Sequence, residues 1–229
     1  NNDKELGKVI GEAFRLVDET GIVMMETNEQ PETVVELIEG VQYDQPLKNN
    51  HFITNKEKGT AELENPLVLI VESVIPNVRK IQSVLEFIIK NGRSLLIIAD
   101  VDPQVVSALA MNKTKGNIKV NIIDAPVYGI SKKDVLSDLC AVTGATLINE
   151  DLGDDMDIID PEHLGECIKS VTNHEDTILQ VDLSENTDVI DTISLLENNI
   201  KETKNSNIVI RLEKRLAKLK AKVATVKVG

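Results

Sequence analysis

The sequence predicts an α/β fold with a layer of parallel strands, closed by a C-terminal antiparallel helix pair. Three observations carry this. Residues 67–71 (LVLIV) and 94–99 (SLLIIA) are continuous β-prone apolar runs, the mark of strands buried on both faces. Helical patterns separate these runs from each other and from a third at residues 118–123, the alternation that builds a parallel sheet. Near the C-terminus, Val189, Ile193, Leu196 and Ile200 form one apolar stripe, and Ile208, Leu212, Leu216 and Leu219 form another. Asn205-Ser206 joins the two stripes, so the helices fold back on each other.

The elements follow in order. Leu6, Val9, Ile10, Ala13, Phe14 and Val17 share one helical face, with Gly21 placed to cap its end. Residues 22–25 and 34–38 read as short strands. A loop is expected from Gly40 to about Glu57, containing Gln45-Pro46 and Asn49-Asn50. Pro76 suits the first turn of a helix running to Lys90, and Asn91-Gly92 stops it. Asp102-Pro103 opens a short helix to about Asn112. Ser131 with Asp134 reads as a capping box for a helix ending near Gly144, and residues 145–148 as a fourth strand. Residues 167–172 and 177–181 flank Asn173-His174-Glu175-Asp176 and read as a hairpin. After the helix pair, residues 223–228 form a last strand. Ala221-Lys222 continues the helical pattern before it, so the last helix is expected to run through that point into Val223.

Composition excludes several classes of function. The chain has 229 residues, 41% of them hydrophobic and 28% charged, which fits a globular protein. A chain of this size buries roughly 70% of its unfolded surface and needs no metal or disulfide to hold a core. Twenty-five Lys and Arg against 38 Asp and Glu give a net charge of −13, which argues against nucleic acid or an anionic membrane as partner. No apolar run is long enough to span a bilayer. No signal-peptide pattern is read in it. Cys140 and Cys167 lack CxxC spacing and read as buried thiols in a reducing, cytoplasmic compartment. The chain begins with Asn, and the expectation is a segment of a longer protein.

The search for chemistry returns little. Neither GxGxxG nor GxxxxGK[ST] occurs, and HExxH and GxSxG are missing too. His51, His163 and His174 lie far apart without ligand spacing and read as surface or loop residues. Asp100-Val101-Asp102 follows a strand, where a Mg²⁺-dependent phosphatase of the haloacid-dehalogenase kind keeps its nucleophile and acid/base. Asp154-Asp155 would then be the later acidic pair. Against this, Asp102 precedes Pro103, which marks it as a helix N-cap. Glu150, Asp151, Asp154, Asp155, Asp157 and Asp160 lack the order of a calcium loop and read as a solvated acidic loop.

Apolar excess is more informative. The helix after Pro76 has its core stripe in Val78, Ile81, Leu85 and Ile88, then adds Val84, Phe87 and Ile89. The next helix carries Val105, Val106, Ala108, Leu109, Ala110 and Met111, with only Gln104 and Ser107 polar between them. Either the two helices form a groove for apolar segments, or both are covered on two sides. Composition weighs these readings evenly.

At this point the chain resembles the apical domain of a group I chaperonin, the GroEL type, with flanking pieces of the intermediate domain. The matching residues are Glu39 to Asp44 (EGVQYD), Gly59 to Pro66 (GTAELENP), Leu95 to Ala99, Asn112 to Val120 (NKTKGNIKV) and Ala125 to Gly129 (APVYG). Thr143 to Ile148, Glu150 to Gly153, Ala217 to Leu219 and Val226 to Gly229 complete the set in family order. The resemblance covers the chain from about Gly7 to Gly229.

The resemblance implies a swivelling β/β/α domain that captures non-native polypeptides, in a parent that is a homo-oligomeric ring. It implies intermediate-domain residues at 1–39, an apical domain at 40–222 and a return strand at 223–229. The capture surface would comprise Leu47, Asn49, His51, Phe52, Gln82, Leu85, Val106, Ala110 and Met111. A lid-like co-chaperonin would share that groove, between helices 77–90 and 103–112. The segment itself would be a binding module without chemistry, while ATP and Mg²⁺ would belong to other segments of the parent. Asn49, His51 and Gln82 are polar where the family has apolar residues, and Gln45 replaces an Arg that pairs between subunits. At the hinge Gly40 is kept, whereas Ala221-Lys222 replaces a glycine pair. A phosphatase using Asp100 and Asp102, or a purely structural α/β interaction domain, are the alternatives.

Overall fold

The structure is a computed structural model that describes residues 4–17, 21–27, 31–126 and 132–228. The fold is mixed α/β. Its described residues form six α-helices, a six-stranded sheet and a four-stranded sheet.

The four-stranded sheet is built from the predicted apolar runs. Strands β4 (Leu67–Ile70), β5 (Ser94–Ile98) and β6 (Lys119–Ile123) are parallel, and β7 (Gly165–Glu166) joins β4 antiparallel. The order is β6-β5-β4-β7. Helices α2 (Gln82–Asn91) and α3 (Pro103–Thr114) connect the parallel strands, and both cover one face. Leu69, Val71, Leu95, Ile97, Val120 and Ile122 point to that face, while Val68, Ile70, Leu96, Ile98 and Ile123 point to the other. Two buried faces explain why these strands read as unbroken apolar runs.

The helix boundaries have local causes. Asn77 accepts from the Lys80 N–H and caps a 3-10 turn, Val78–Ile81, that leads into α2; Pro76 therefore precedes the first turn instead of opening it. Gly92 ends α2 in the left-handed region at φ 62°. Asp102 accepts from Gln104 N–H at 2.8 Å, with Pro103 at the first helical position, as the sequence predicts.

Behind the second face lie α4 (Lys132–Thr143), α5 (Thr187–Glu202) and α6 (Ser206–Lys220), together with the six-stranded sheet. Asn186 and Asn205 cap the antiparallel pair α5 and α6. Ser131, expected to cap α4, and Val127 to Gly129 lie outside the described residues.

The six-stranded sheet has the order β1-β10-β2-β9-β8-β3. It consists of β1 (Ile22–Thr27), β2 (Val34–Tyr43), β3 (Ala61–Glu64), β8 (Lys169–Thr172), β9 (Thr177–Val181) and β10 (Lys222–Val228). Helix α1 (Lys4–Leu16) packs on β1, β10 and β2, where Ala13, Val17, Ala224 and Val226 make a small separate core.

Several expectations are corrected. The strand expected over 34–38 continues to Tyr43, so the chain at Gly40 is not a loop: β2 pairs with β10 up to Glu39 and with β9 from Glu39 onward. Residues 145–148 form no strand beyond one parallel bridge, Ile148 to Val71, because Thr146 N–H is taken by the His163 carbonyl. Cys167 lies outside the hairpin, which starts at Lys169. Strand β3 escaped the sequence reading, since four residues with two apolar positions carry almost no signal. The last helix stops at Lys220. Ala221 is extended, at φ −64° and ψ 149°, and Lys222 already pairs with Glu39. Pairing on both edges of β10 outweighs the helix propensity of Ala221 and Lys222.

Candidate functional site

The candidate groove is framed by α2 and α3 on the outer face of the four-stranded sheet. Its components divide by exposure. Phe52 is fully buried, and Leu85, Val106 and Ala110 keep 8%, 8% and 2% of their surface. These four sit in the core between the helices and the sheet, so they support the groove from beneath. In this structure none of the four lies open at the surface, because they pack in the core under the sheet's apolar face.

What α2 and α3 offer outward is Met111 at 59% exposure and Ile89 at 54%, while Phe87 is half-buried against the core. Ile89 and Phe87 belong to the apolar excess seen in the sequence; the family-based residue set omits them. Gln82 is exposed, and its Nε2 donates to Glu86 Oε1 at 2.7 Å. Leu47 is half-buried against the same core.

The segment before β3 closes one side of α3. Asn49 Oδ1 accepts the His51 backbone N–H at 2.9 Å and lies 2.9 Å from His51 Nδ1. This caps the 3-10 turn Asn50–Phe52, which packs against α3 and plugs Phe52 into the core. Asn49 is thus a capping residue, and His51 stays exposed on the rim. Lys113 Nζ donates to the Ile53 carbonyl at 2.5 Å and ties the end of α3 to this turn. Burial lowers the Lys113 pKa, and nearby Lys56 lowers it further.

The acidic loop closes the head of α2. Glu150 and Asp157 hold Lys80 Nζ at 2.9 and 3.1 Å. Hydrogen bonds to Glu150 and then Asp157 raise the Lys80 pKa. Asp154 accepts from Asn149 N–H, and Asp155 from Asp157 N–H. The loop is therefore organised by its own carboxylates, where the sequence predicts a merely solvated one. It also displays Leu152 and Ile158 to solvent, which sequence reasoning missed because single aliphatic residues in an acidic run have no period.

The residues of the phosphatase alternative have structural partners. Asp102 caps α3, and Asp100 Oδ2 accepts from Lys132 Nζ at 2.7 Å. Asp154 serves the loop turn just described. Among the described residues, no group of three or more His, Cys, Asp or Glu converges as metal ligands. His163 Nδ1 accepts from Asp160 N–H, and burial pushes the Cys140 and Cys167 thiols up to about 12.

The expected hinge is a close strand crossing. A Cβ on Gly40 would lie 2.4 Å from Val223 Cγ2 and 2.9 Å from the Leu179 carbonyl oxygen, so glycine is required there by contact with both neighbours. Ala221 is buried and Lys222 exposed on the returning strand.

No helix among the described residues is long and apolar enough to cross a membrane. No family model matches the chain.

Proposed function

We propose that the chain is the substrate-binding apical segment of an ATP-dependent ring chaperonin, capturing non-native polypeptides and assisting their folding. The observation that carries the reading is the placement of α2 and α3. Both cover one face of the four-stranded sheet, and both keep a large aliphatic side chain, Ile89 and Met111, on the outside. Exposed apolar side chains on adjacent helices bind unfolded segments without demanding a sequence, and a Met adapts its shape to them. The ordered motifs from Glu39 to Gly229 and the layering of sheet, sheet and helices support the finer likeness to a chaperonin apical domain.

In this reading residues 1–39 and 223–229 belong to the intermediate domain. ATP and Mg²⁺ act in other segments of the parent chain, in the cytoplasm. A co-chaperonin lid competes with clients for the same helices.

The test is suppression of aggregation of a denatured client, followed by light scattering. Ile89→Glu with Met111→Glu should abolish suppression while circular dichroism and Tm stay unchanged. Leu85→Ser with Val106→Ser should instead lose the fold, at a cost of about 2–4 kcal/mol per site. Full suppression by a folded Ile89→Glu, Met111→Glu variant would overturn the reading. Saturable ATP binding by this segment would also count against it.

A further inference from the structure

Asn121 is a polar residue at a fully buried position of β6, between Val120 and Ile122. It shares with Ile123 the face of the four-stranded sheet that meets the six-stranded one. Its Nδ2 donates to Thr172 Oγ1 of β8 at 2.9 Å, which joins the two sheets. Thr172 Oγ1 lies 3.0 Å from Thr177 Oγ1 on β9, and Thr177 Oγ1 lies 2.7 Å from the Gln45 carbonyl oxygen. Thr172 and Thr177 are partners in register, and both are completely buried. The protons in this chain of bonds have one order. A carbonyl only accepts and a hydroxyl has one proton, so Thr177 donates to Gln45. Thr172, which accepts from the Asn121 amide, then donates to Thr177. The relay runs from β6 through β8 and β9 to the backbone of residue 45.

Stability alone does not account for it. Asn121 Oδ1 has no hydrogen-bond partner among the described residues, and neither has the Ser170 hydroxyl, on the same face of β8 as Thr172. Buried groups left in that state are costly, and aliphatic side chains would fill the layer without the penalty. What the relay holds is the start of the segment over residues 45–53. Leu47 N–H donates to the Asn173 carbonyl at 2.8 Å, in the turn between β8 and β9. Lys48 pairs with Asp124, just past β6, at 2.5 Å. The segment then reaches the 3-10 turn that puts Phe52 in the core beside α3 and leaves His51 on the rim.

We infer that Asn121, Thr172 and Thr177 are positioning residues for the rim of the candidate groove. The relay fixes the Gln45 carbonyl, and through it the segment that sets Asn49, His51 and Phe52 against α3. None of the three is exposed, so none touches a client; they act through the segment they hold. The inference rests on the capture reading above and names the buried side chains on which the shape of that surface depends.

Amide exchange on the full chain tests it. Thr177→Val keeps the shape of the side chain and removes the donor to Gln45. The N–H groups of Leu47 and Ile53, bonded to the Asn173 and Asn50 carbonyls, should then exchange about tenfold faster. The Leu96 and Ile97 amides of β5 should keep their wild-type rates, which separates a loosened segment from a loosened fold. Thr177→Ser retains the hydroxyl and should restore wild-type exchange. Asn121→Val, which deprives Thr172 of its donor, should speed the same two amides about threefold. Wild-type rates at Leu47 and Ile53 in Thr177→Val or Asn121→Val, or an equal rise in β5, overturn the relay. In the aggregation assay above, Thr177→Val should suppress less well than wild type and Thr177→Ser equally well. Full suppression by a Thr177→Val chain already loosened at Leu47 overturns the link to the rim. Wild type that captures no client would instead overturn the capture reading and leave the exchange result standing.

Discussion

Lys169 Nζ on β8 meets Glu26 Oε1 on β1 at 2.6 Å, although β10, β2 and β9 lie between their strands. Four strand spacings in a flat sheet would separate them by roughly 19 Å. The six-stranded sheet is therefore curled, folding β1 across its own polar face. Lys58 Nζ donates to the Met25 carbonyl at 2.8 Å, and Gln180 Nε2 lies 3.5 Å from Met24 Sδ, along the same seam. Glu64 at 3.0 Å and Glu62 at 3.7 Å complete the set around Lys169.

Lys169→Met should destabilise the chain by about 3 kcal/mol, since it leaves clustered carboxylates without their cation. Burial alone would lower the Lys169 pKa, but hydrogen bonds to Glu26 and Glu64 outweigh it and raise the value above the usual lysine range. The stabilisation is thus fully present below the unfolded lysine pKa and is lost as pH rises through the folded one. Urea titrations should show an alkaline loss of stability in wild type that Lys169→Met lacks. Amide exchange in β1 should accelerate in the variant; unchanged exchange there would mean the seam is held by other contacts.

Asp138, 5% exposed on α4, accepts two bonds from Arg215 of α6, at 2.8 and 2.7 Å. Burial raises the Asp138 pKa, with Arg215 opposing it. Arg215→Met should cost about 3–5 kcal/mol, and Asp138→Leu with Arg215→Met should recover most of it. A raised carboxylate pKa favours the fold at acid pH and loses that advantage as pH rises through the folded value. The deficit of Arg215→Met should therefore shrink on acidification, which thermal melts across pH will measure.

Gly40→Ala should destabilise by about 1–3 kcal/mol through overpacking at the crossing of β2 with Val223 and Leu179. Adding Val223→Ala should restore only part, because the Leu179 carbonyl oxygen cannot move without breaking the β2–β9 ladder. Full recovery in Tm would show that the side chain alone sets the constraint.

Asp102→Ala should cost about 1 kcal/mol by removing the α3 cap. Wild type and Asp100→Asn should be equally inert toward an aryl phosphate with Mg²⁺. Turnover by wild type that disappears in Asp100→Asn would favour the phosphatase alternative.

Gln82→Leu should tighten binding of an apolar test peptide in fluorescence polarisation. The substitution removes a polar group that must be desolvated on docking, at the expense of the bond to Glu86, worth about 0.2–0.5 kcal/mol. Weaker binding would mean that the Gln82–Glu86 pair belongs to the peptide contact.

The sequence by itself determined the parallel layer and its caps. Residues 67–71 and 94–99 announce strands buried on both faces, and Asp102-Pro103, Asn91-Gly92 and Asn205 mark helix ends, because each signal is complete within a few neighbouring residues. It also picked out α2 and α3 as overly apolar. Which of their side chains remain outside was decided by the tertiary structure: Leu85, Val106 and Ala110 meet the sheet, whereas Ile89 and Met111 do not. Similar apolar residues differ in exposure only through what covers them. The run of β2 past Gly40, the end of α6 at Lys220 and the Lys169–Glu26 seam were settled the same way. Partners more than a hundred residues away fix a strand's extent by hydrogen bonding its edges, and no local pattern encodes that distance.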